Sequence, residues 1–229
     1  MISRENRRGP VVPAYFHPLV APGAWLTLTG AVDSVCLVVV NMASGPGDRP
    51  DPVYGEVIDR LLDAGASLAG YVDTDYGRRL PADALAEIAR YREWYRVSSV
   101  FFDRVSSGIE HVPYYRMLAA DSRRAGTGVV AFNHGTYPVR DYAQDADLLG
   151  IFEGPFSSLV ELDVPSWVHD LPADRFFQLV YDSPPALADI VARLATERNI
   201  GANYRTEATG PNPWDTLPAN FPGAEVSTN

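Results

Sequence analysis

The feature that most constrains this chain is a repeated alternation of two textures. Short runs rich in β-branched and aromatic residues occur eight times: "VVPAYF" (11–16), "DSVCLVVVN" (33–41), "SLAGYVD" (67–73), "SVFFD" (99–103), "GVVAFN" (128–133), "LLGIFEG" (148–154), "FFQLVYD" (176–182) and "IGANYRT" (200–206). Several are apolar throughout, the pattern of parallel strands covered on both faces. Between them lie stretches with helical periodicity. "DPVYGEVIDRLLDAG" places Val53, Val57, Ile58, Leu61 and Leu62 on one face, opens at Pro52 and stops at Gly65. "PADALAEIARYREWY" repeats the pattern with Leu85, Ile88 and Tyr91, and "VPYYRMLAADSRRAG" and "SPPALADIVARLATERN" are two further helices. The interval after the first run holds only a short helix, and the one after the sixth is broken by prolines. Eight strands alternating with helices, at a spacing of roughly 25–30 residues, predict an α/β fold, a (β/α)8 TIM barrel, as one compact domain over 1–229. A doubly wound open sheet is the alternative. Its nucleotide-binding form is disfavoured because no G-x-G-x-x-G follows the first strand. The tail, 207–229, is rich in Pro, Gly and Asn; "NPWDTLP" is expected to pack Trp214 on the barrel, with the last residues loose.

Charge and cysteine content narrow the function classes. A formal net charge of −10 over 229 residues argues against a nucleic-acid partner, which needs a basic footprint. It suits a neutral or cationic substrate, although solubility explains most of it. The one cysteine, Cys36, lies inside an apolar run and reads as a small buried hydrophobe. The N-terminus has basic residues but no apolar segment of a signal peptide, and no run is long enough to span a membrane, so the expectation is a cytoplasmic protein.

In a (β/α)8 barrel the active site is built at the carboxyl ends of the strands. Those ends carry Tyr15 and His17, Asn41, Asp73, Asp103, Asn133 and His134, Glu153, Tyr181 and Asp182, and Tyr204 with Arg205. Loops after strands are polar in any protein, which accounts for part of this. It accounts less well for Asp73, Asp103 and Glu153, three carboxylates that each end an apolar run. Two carboxylates across a cleft are the minimal equipment for glycoside hydrolysis, one as nucleophile or base and the other, with a raised pKa, as acid. The same pattern also fits metal binding or structural capping.

Other chemistries are less well supported. His17, His111, His134 and His169 lack metal-ligand spacing, so no metal is expected; His17 and His134, both after strand ends, suit hydrogen bonding to substrate. "SGPGD" after Asn41 lacks the lysine of a phosphate loop, no G-x-S-x-G elbow occurs, and no quoted strand holds a lysine for a Schiff base, so no cofactor is expected.

"VPAYFHP", "VVVNMASGPGD", "GYVDTDYGRR", "YREWYRVSSVFFDR", "YYRML", "FNHGTYP" and "IFEG" together resemble the spherulin-4 family (spherulation-specific family 4), in order and spacing, from about residue 11 to the end of the barrel. The resemblance implies a (β/α)8 barrel. It also implies glycoside hydrolysis of microbial exopolysaccharides, notably endo-acting cleavage of galactosamine-containing polymers. By motif position the catalytic pair falls on Asp103 in "FFDR" and Glu153 in "FEG". The resemblance implies retention, with Asp103 as nucleophile and Glu153 as general acid/base. Asp73 would bind substrate, with Tyr15, His17, Asn41, Asn133 and Tyr181 lining the cleft.

Two departures stand out. Fungal hydrolases of the family tend to have a second acid after the strand-four aspartate, where this chain has Arg104. That arginine has three candidate roles: keeping Asp103 ionised, clamping a salt bridge, or binding an anionic substrate. An enzyme acting on extracellular polysaccharide would also be exported. Two other readings stay open. One is an intracellular barrel repurposed for a lyase, cyclase or isomerase step on a small metabolite, which calls for a closed pocket. The other is a non-catalytic carbohydrate-binding protein.

Overall fold

The structure, a computed structural model, describes residues 9–222. Eight strands form one sheet in sequence order, and every neighbouring pair is parallel. They are β1 (Val11–Ala14), β2 (Leu37–Val40), β3 (Leu68–Asp73), β4 (Ser99–Asp103), β5 (Val130–Asn133), β6 (Leu148–Pro155), β7 (Phe176–Tyr181) and β8 (Ala202–Arg205). β1 and β8 come together, so the sheet curls into a nearly closed barrel. Sequential order with closure is the TIM-barrel arrangement; an open doubly wound sheet would permute it.

β1, β2 and β5 are buried at every position because their side chains alternate between two dry compartments, the barrel interior and the helix layer. Phe101 of β4 meets Phe177 of β7 across the interior, with ring centroids 5.7 Å apart. Phe132 of β5 faces outward onto Tyr115 and Tyr142. The strands are shorter than the apolar runs that announce them. In "DSVCLVVVN", Val32–Ser34 closes a 3-10 turn and pairing begins only at Leu37.

The helices are α1 (Pro22–Gly30), α2 (Pro52–Asp63), α3 (Pro81–Tyr95), α4 (Val112–Arg124), α5 (Phe156–Val160) and α6 (Ala188–Glu197). α2 shows how the ends are set. The Asp51 side chain accepts from the Val53 and Tyr54 N–H groups, Pro52 opens the helix, and Gly65 follows it at φ 90°. Its inner face is Tyr54, Ile58 and Leu61. The alternation is incomplete after β5, where only a 3-10 turn, Arg140–Gln144, covers the barrel. Tyr142 takes the place of a helix there. It is fully buried, lies 5.7 Å from Tyr115 and 4.7 Å from His134, and its hydroxyl donates to the Gly108 carbonyl at 2.9 Å.

After β8 the chain runs back across the carboxyl ends of the strands. Thr206 N–H donates to the Val180 carbonyl and Asp182 N–H to Ala208, and Trp214 and Phe221 are buried. The basic start at 1–8 and the chain end at 223–229 lie outside the described residues. Among the described residues no helix is long and apolar enough to cross a membrane.

Candidate active site

Asp103 ends β4 and Glu153 lies near the end of β6. They meet because of one irregularity. Gly150 faces the barrel interior: a Cβ there would stand 2.4 Å from the Phe177 ring and 2.5 Å from Asn133 Oδ1. Strand alternation would then send residue 153, three positions on, to the outside. However, the β6–β7 register slips between Gly150 and Phe152, a bulge that takes up Ile151. Phe152 consequently packs outward with Leu159, Val180 and Val191, and Glu153 turns in.

Asn133 joins the pair. Its Nδ2 donates to Asp103 Oδ1 at 2.8 Å and to Glu153 Oε2 at 2.5 Å, so those two oxygens are no more than about 5.3 Å apart. The second oxygen of Glu153, Oε1, accepts from the Trp214 indole N–H at 3.1 Å. Trp214 is itself held between Tyr181 and Tyr204, with ring centroids 5.9 and 5.8 Å away.

The two carboxyls differ in electrostatics. Burial raises Glu153 to about 7, the Asp103 charge adds to this, and the donors on Asn133 and Trp214 oppose it. Asp103 is also raised by burial, but hydrogen bonds from Asn133, the Arg104 main-chain N–H and the Tyr71 hydroxyl favour its ionised form. Near neutral pH the pair therefore shares a proton unequally, and Glu153 is the better holder. Because the Trp214 N–H stabilises ionised Glu153, Trp214→Phe is expected to move the Glu153 titration to higher pH, as read by carboxyl-carbon NMR. An unmoved titration would show that this hydrogen bond has no influence on Glu153.

Arg104 is a clamp. Its backbone is left-handed at φ 52°, its main-chain N–H bonds the Asp103 carboxylate, and its side chain turns back over β3. There Nη1 donates to Asp73 Oδ2 at 2.8 Å and Nη2 to Asp75 Oδ1 at 2.5 Å. Its main-chain N–H, and not its guanidinium, is the group bonded to Asp103.

The pair stands where two open lobes of one groove meet, both of them lined by Asp103, Glu153 and Tyr181. The first lobe, about 390 Å³, adds Tyr76, Arg104, Asn133, His134, Gly135 and Thr136. The second, about 510 Å³, adds Tyr15, Asn41, Met42, Ser44, Tyr71 and the 210–214 segment with Trp214. Of the residues singled out from the sequence, Tyr15, Asn41, Arg104, Asn133, His134 and Tyr181 thus lie on the groove with the pair.

Asp73 and His17 line neither lobe. The Asp73 carboxylate is taken by Arg104 and by the Asp75 N–H at 2.7 Å. His17 stacks edge-on to Tyr54, 3.8 Å from the Asp51 carboxylate, and its Nδ1 accepts from the Leu19 N–H. His134 does not join it. It is buried with Nδ1 against the Ser106 carbonyl at 3.0 Å, and burial lowers its pKa to about 3, so it is neutral. Among the described residues no group of three or more His, Cys, Asp or Glu is placed to hold a metal ion.

Sequence reasoning missed Tyr71, Tyr76 and the contact of Trp214 with Glu153. Tyr71 was within reach, since it sits two residues before Asp73 on β3 and shares its face. Nothing local marks Trp214 as a partner of Glu153.

Residues 11–224 match the sequence model of Spherulin4, spherulation-specific family 4. The chain belongs to this family. Spherulin-4 of Physarum polycephalum is 29% identical over 168 residues, covering 71% of this chain and 49% of that protein, so the chain spans about half the length of this curated relative. Among solved structures, Sph3 of Aspergillus clavatus, in complex with GalNAc, has a TM-score of 0.79 at 23% identity, with 96% of each chain covered. The Bacillus cereus spore cortex-lytic enzyme SleL has a TM-score of 0.55 at 9% identity, over 91% of this chain and 73% of that one. At these identities the structural likeness is one of fold, and for this spherulation-specific family 4 member the fold is the nearly closed barrel described above.

Proposed function

We propose that this chain is a retaining glycoside hydrolase acting on amino-sugar glycans of the galactosamine type. The observation that carries the reading is the single Asn133 nitrogen bridging Asp103 and Glu153 at the junction of two open lobes. A separation of about 5–5.5 Å between carboxyl groups is the retaining geometry, while inversion leaves about 6.5–9.5 Å for a water. The bound at the bridging oxygens favours retention. The GalNAc held by the A. clavatus relative supports the amino sugar as substrate class.

Asp103, kept ionised by its three donors, attacks the anomeric carbon and displaces the leaving sugar oxygen. Protonated Glu153 gives its proton to that oxygen as the bond breaks. A water then attacks the glycosyl–Asp103 ester, its proton passing to Glu153, and the ester carboxylate leaves. Every proton and bond is accounted for by the two carboxyls and one water.

The groove also bears on the alternatives. A small-metabolite enzyme calls for a closed pocket, whereas both lobes here are open to solvent. The deciding experiment is turnover of GalNAc- and galactosamine-containing oligosaccharides, with proton NMR of the first-formed anomer. The expectation is cleavage with retained configuration and loss of cleavage in Asp103→Asn. An inverted first product would overturn the assignment of Asp103 as nucleophile. Saturable binding without turnover, unchanged by Asp103→Asn, would leave a binding protein.

A further inference from the structure

We infer that Tyr76 is a sugar-stacking platform in the first lobe of the groove, the lobe it shares with Asp103 and Glu153, and that Arg104 is its positioning residue. The inference rests on the glycoside-hydrolase reading for its substrate, a neutral or amino pyranose, but its geometry is independent of it.

Tyr76 lies in the short turn after β3 and lines the same lobe as Asp103 and Glu153. The turn is costly. Asp75, Tyr76 and Gly77 have φ of 45°, 57° and 83°, three successive left-handed residues of which only one is glycine. Such backbone persists where its surroundings over-determine it, most often at binding sites. Here the surroundings are the strand-four end. Tyr76 N–H donates to the Arg104 carbonyl at 2.8 Å, and Thr74 Oγ1 donates to the Asp103 and Arg104 carbonyls at 2.9 and 3.0 Å. The Arg104 guanidinium stands 5.0 Å from the Tyr76 ring centroid, fixed by Asp73 and Asp75.

Despite this frame, Tyr76 remains 46% exposed. Arg78 also approaches the ring, at 5.8 Å. Arg78 and Arg104 both reach Asp75 Oδ1, at 2.7 and 2.5 Å, so those two nitrogens are within about 5.2 Å of each other. Cations on opposite faces of the ring, at 5.8 and 5.0 Å from its centroid, would have guanidinium carbons about 10.8 Å apart, and each carbon is one bond from its nitrogen, so Arg78 and Arg104 do not sandwich Tyr76. A framed aromatic ring exposed beside a catalytic pair suits the apolar C–H face of a pyranose. The carboxylates on Arg104 balance its charge, which removes the case for an anionic sugar in this lobe. With a sugar on Tyr76 and another in the second lobe, the glycan crosses the pair and is cut internally.

The test is calorimetric binding of a GalNAc tetrasaccharide in the Glu153→Gln background, paired with wild-type turnover of the same sugar. Tyr76→Ala is expected to weaken binding about five- to tenfold, and Tyr76→Phe, which keeps the ring, to retain it. Arg104→Ala is expected to lose a similar factor, and the Tyr76→Ala/Arg104→Ala double variant no more than Tyr76→Ala alone, because both act through one ring. Full affinity in Tyr76→Ala overturns the platform, and multiplying losses in the double variant overturn the part given to Arg104. A Tyr76-dependent affinity in a wild type that never cleaves the sugar upholds the platform and sinks the hydrolase reading. Absence of binding overturns the platform, and absence of both binding and wild-type turnover overturns the hydrolase reading with it.

Discussion

Glu153→Gln is expected to lower kcat on a GalNAc oligosaccharide by about 10²–10⁴-fold, the usual range for losing a general acid/base. The loss has an internal check. A dinitrophenyl glycoside leaves without a proton, so its first step is expected to survive and to appear as a burst of dinitrophenol. The second step then lacks its base, and the glycosyl–Asp103 ester accumulates. Added azide, which attacks without giving up a proton, is expected to restore turnover and yield a glycosyl azide of retained configuration. An oligosaccharide rate within a few fold of wild type would remove Glu153 from the mechanism.

The same substitution has a stability signature of opposite sign. Burial raises Glu153 from 4.5 to about 7, so the folded state favours its protonated form. That contribution is fully present below about pH 4.5 and is lost as pH rises through about 7. Gln carries no charge at any pH. The variant is therefore expected to melt with wild type at pH 4 and above it at pH 8. A variant that melts below wild type at pH 8 would mean that Asn133 and Trp214 hold ionised Glu153 more strongly than burial repels it.

Gly150→Ala is expected to damage fold and site together. The added methyl meets the Phe177 ring at 2.4 Å and Asn133 Oδ1 at 2.5 Å. Neither neighbour yields easily. Phe177 is fully buried against Phe101, and Asn133 is anchored by both carboxylates. Overpacking of this kind costs about 1–3 kcal/mol, a drop of several degrees in Tm for a chain of this length. Displacement of Asn133 would also unbridge the pair, so kcat is expected to fall beyond what partial unfolding explains. A variant with wild-type Tm and wild-type kcat would show that the crossing of Asn133 over Gly150 is not required.

Much of the barrel was legible because its signals are local. Apolar runs without alternation mark strands buried on both faces, and Pro52 and Gly65 bracket a helix through their own backbone preferences. The gap after β5 was not legible, because Tyr142 covers the barrel there through tertiary packing alone. The strand-end list found Asp103, Glu153, Asn133 and the Tyr15 and Asn41 side of the groove. It also included Asp73, which lines neither lobe and whose carboxylate is consumed by Arg104 and the Asp75 N–H. A sequence offers no way to tell a strand-end carboxylate that stays open from one that a neighbouring strand's arginine closes.

The chain by itself determined that eight strands recur with helices between most of them and that acidic residues stand at or near several strand ends, because periodicity, turn residues and strand ends are properties of nearby residues. Only the tertiary structure decided which carboxylates meet. The bulge at Ile151 turns Glu153 inward by a slip against β7. Arg104 swings onto Asp73 and Asp75 and leaves Asp103 to a main-chain N–H. Trp214 reaches Glu153 from 61 residues away. Each depends on contacts between segments distant in the chain, and those exist only once the barrel has closed.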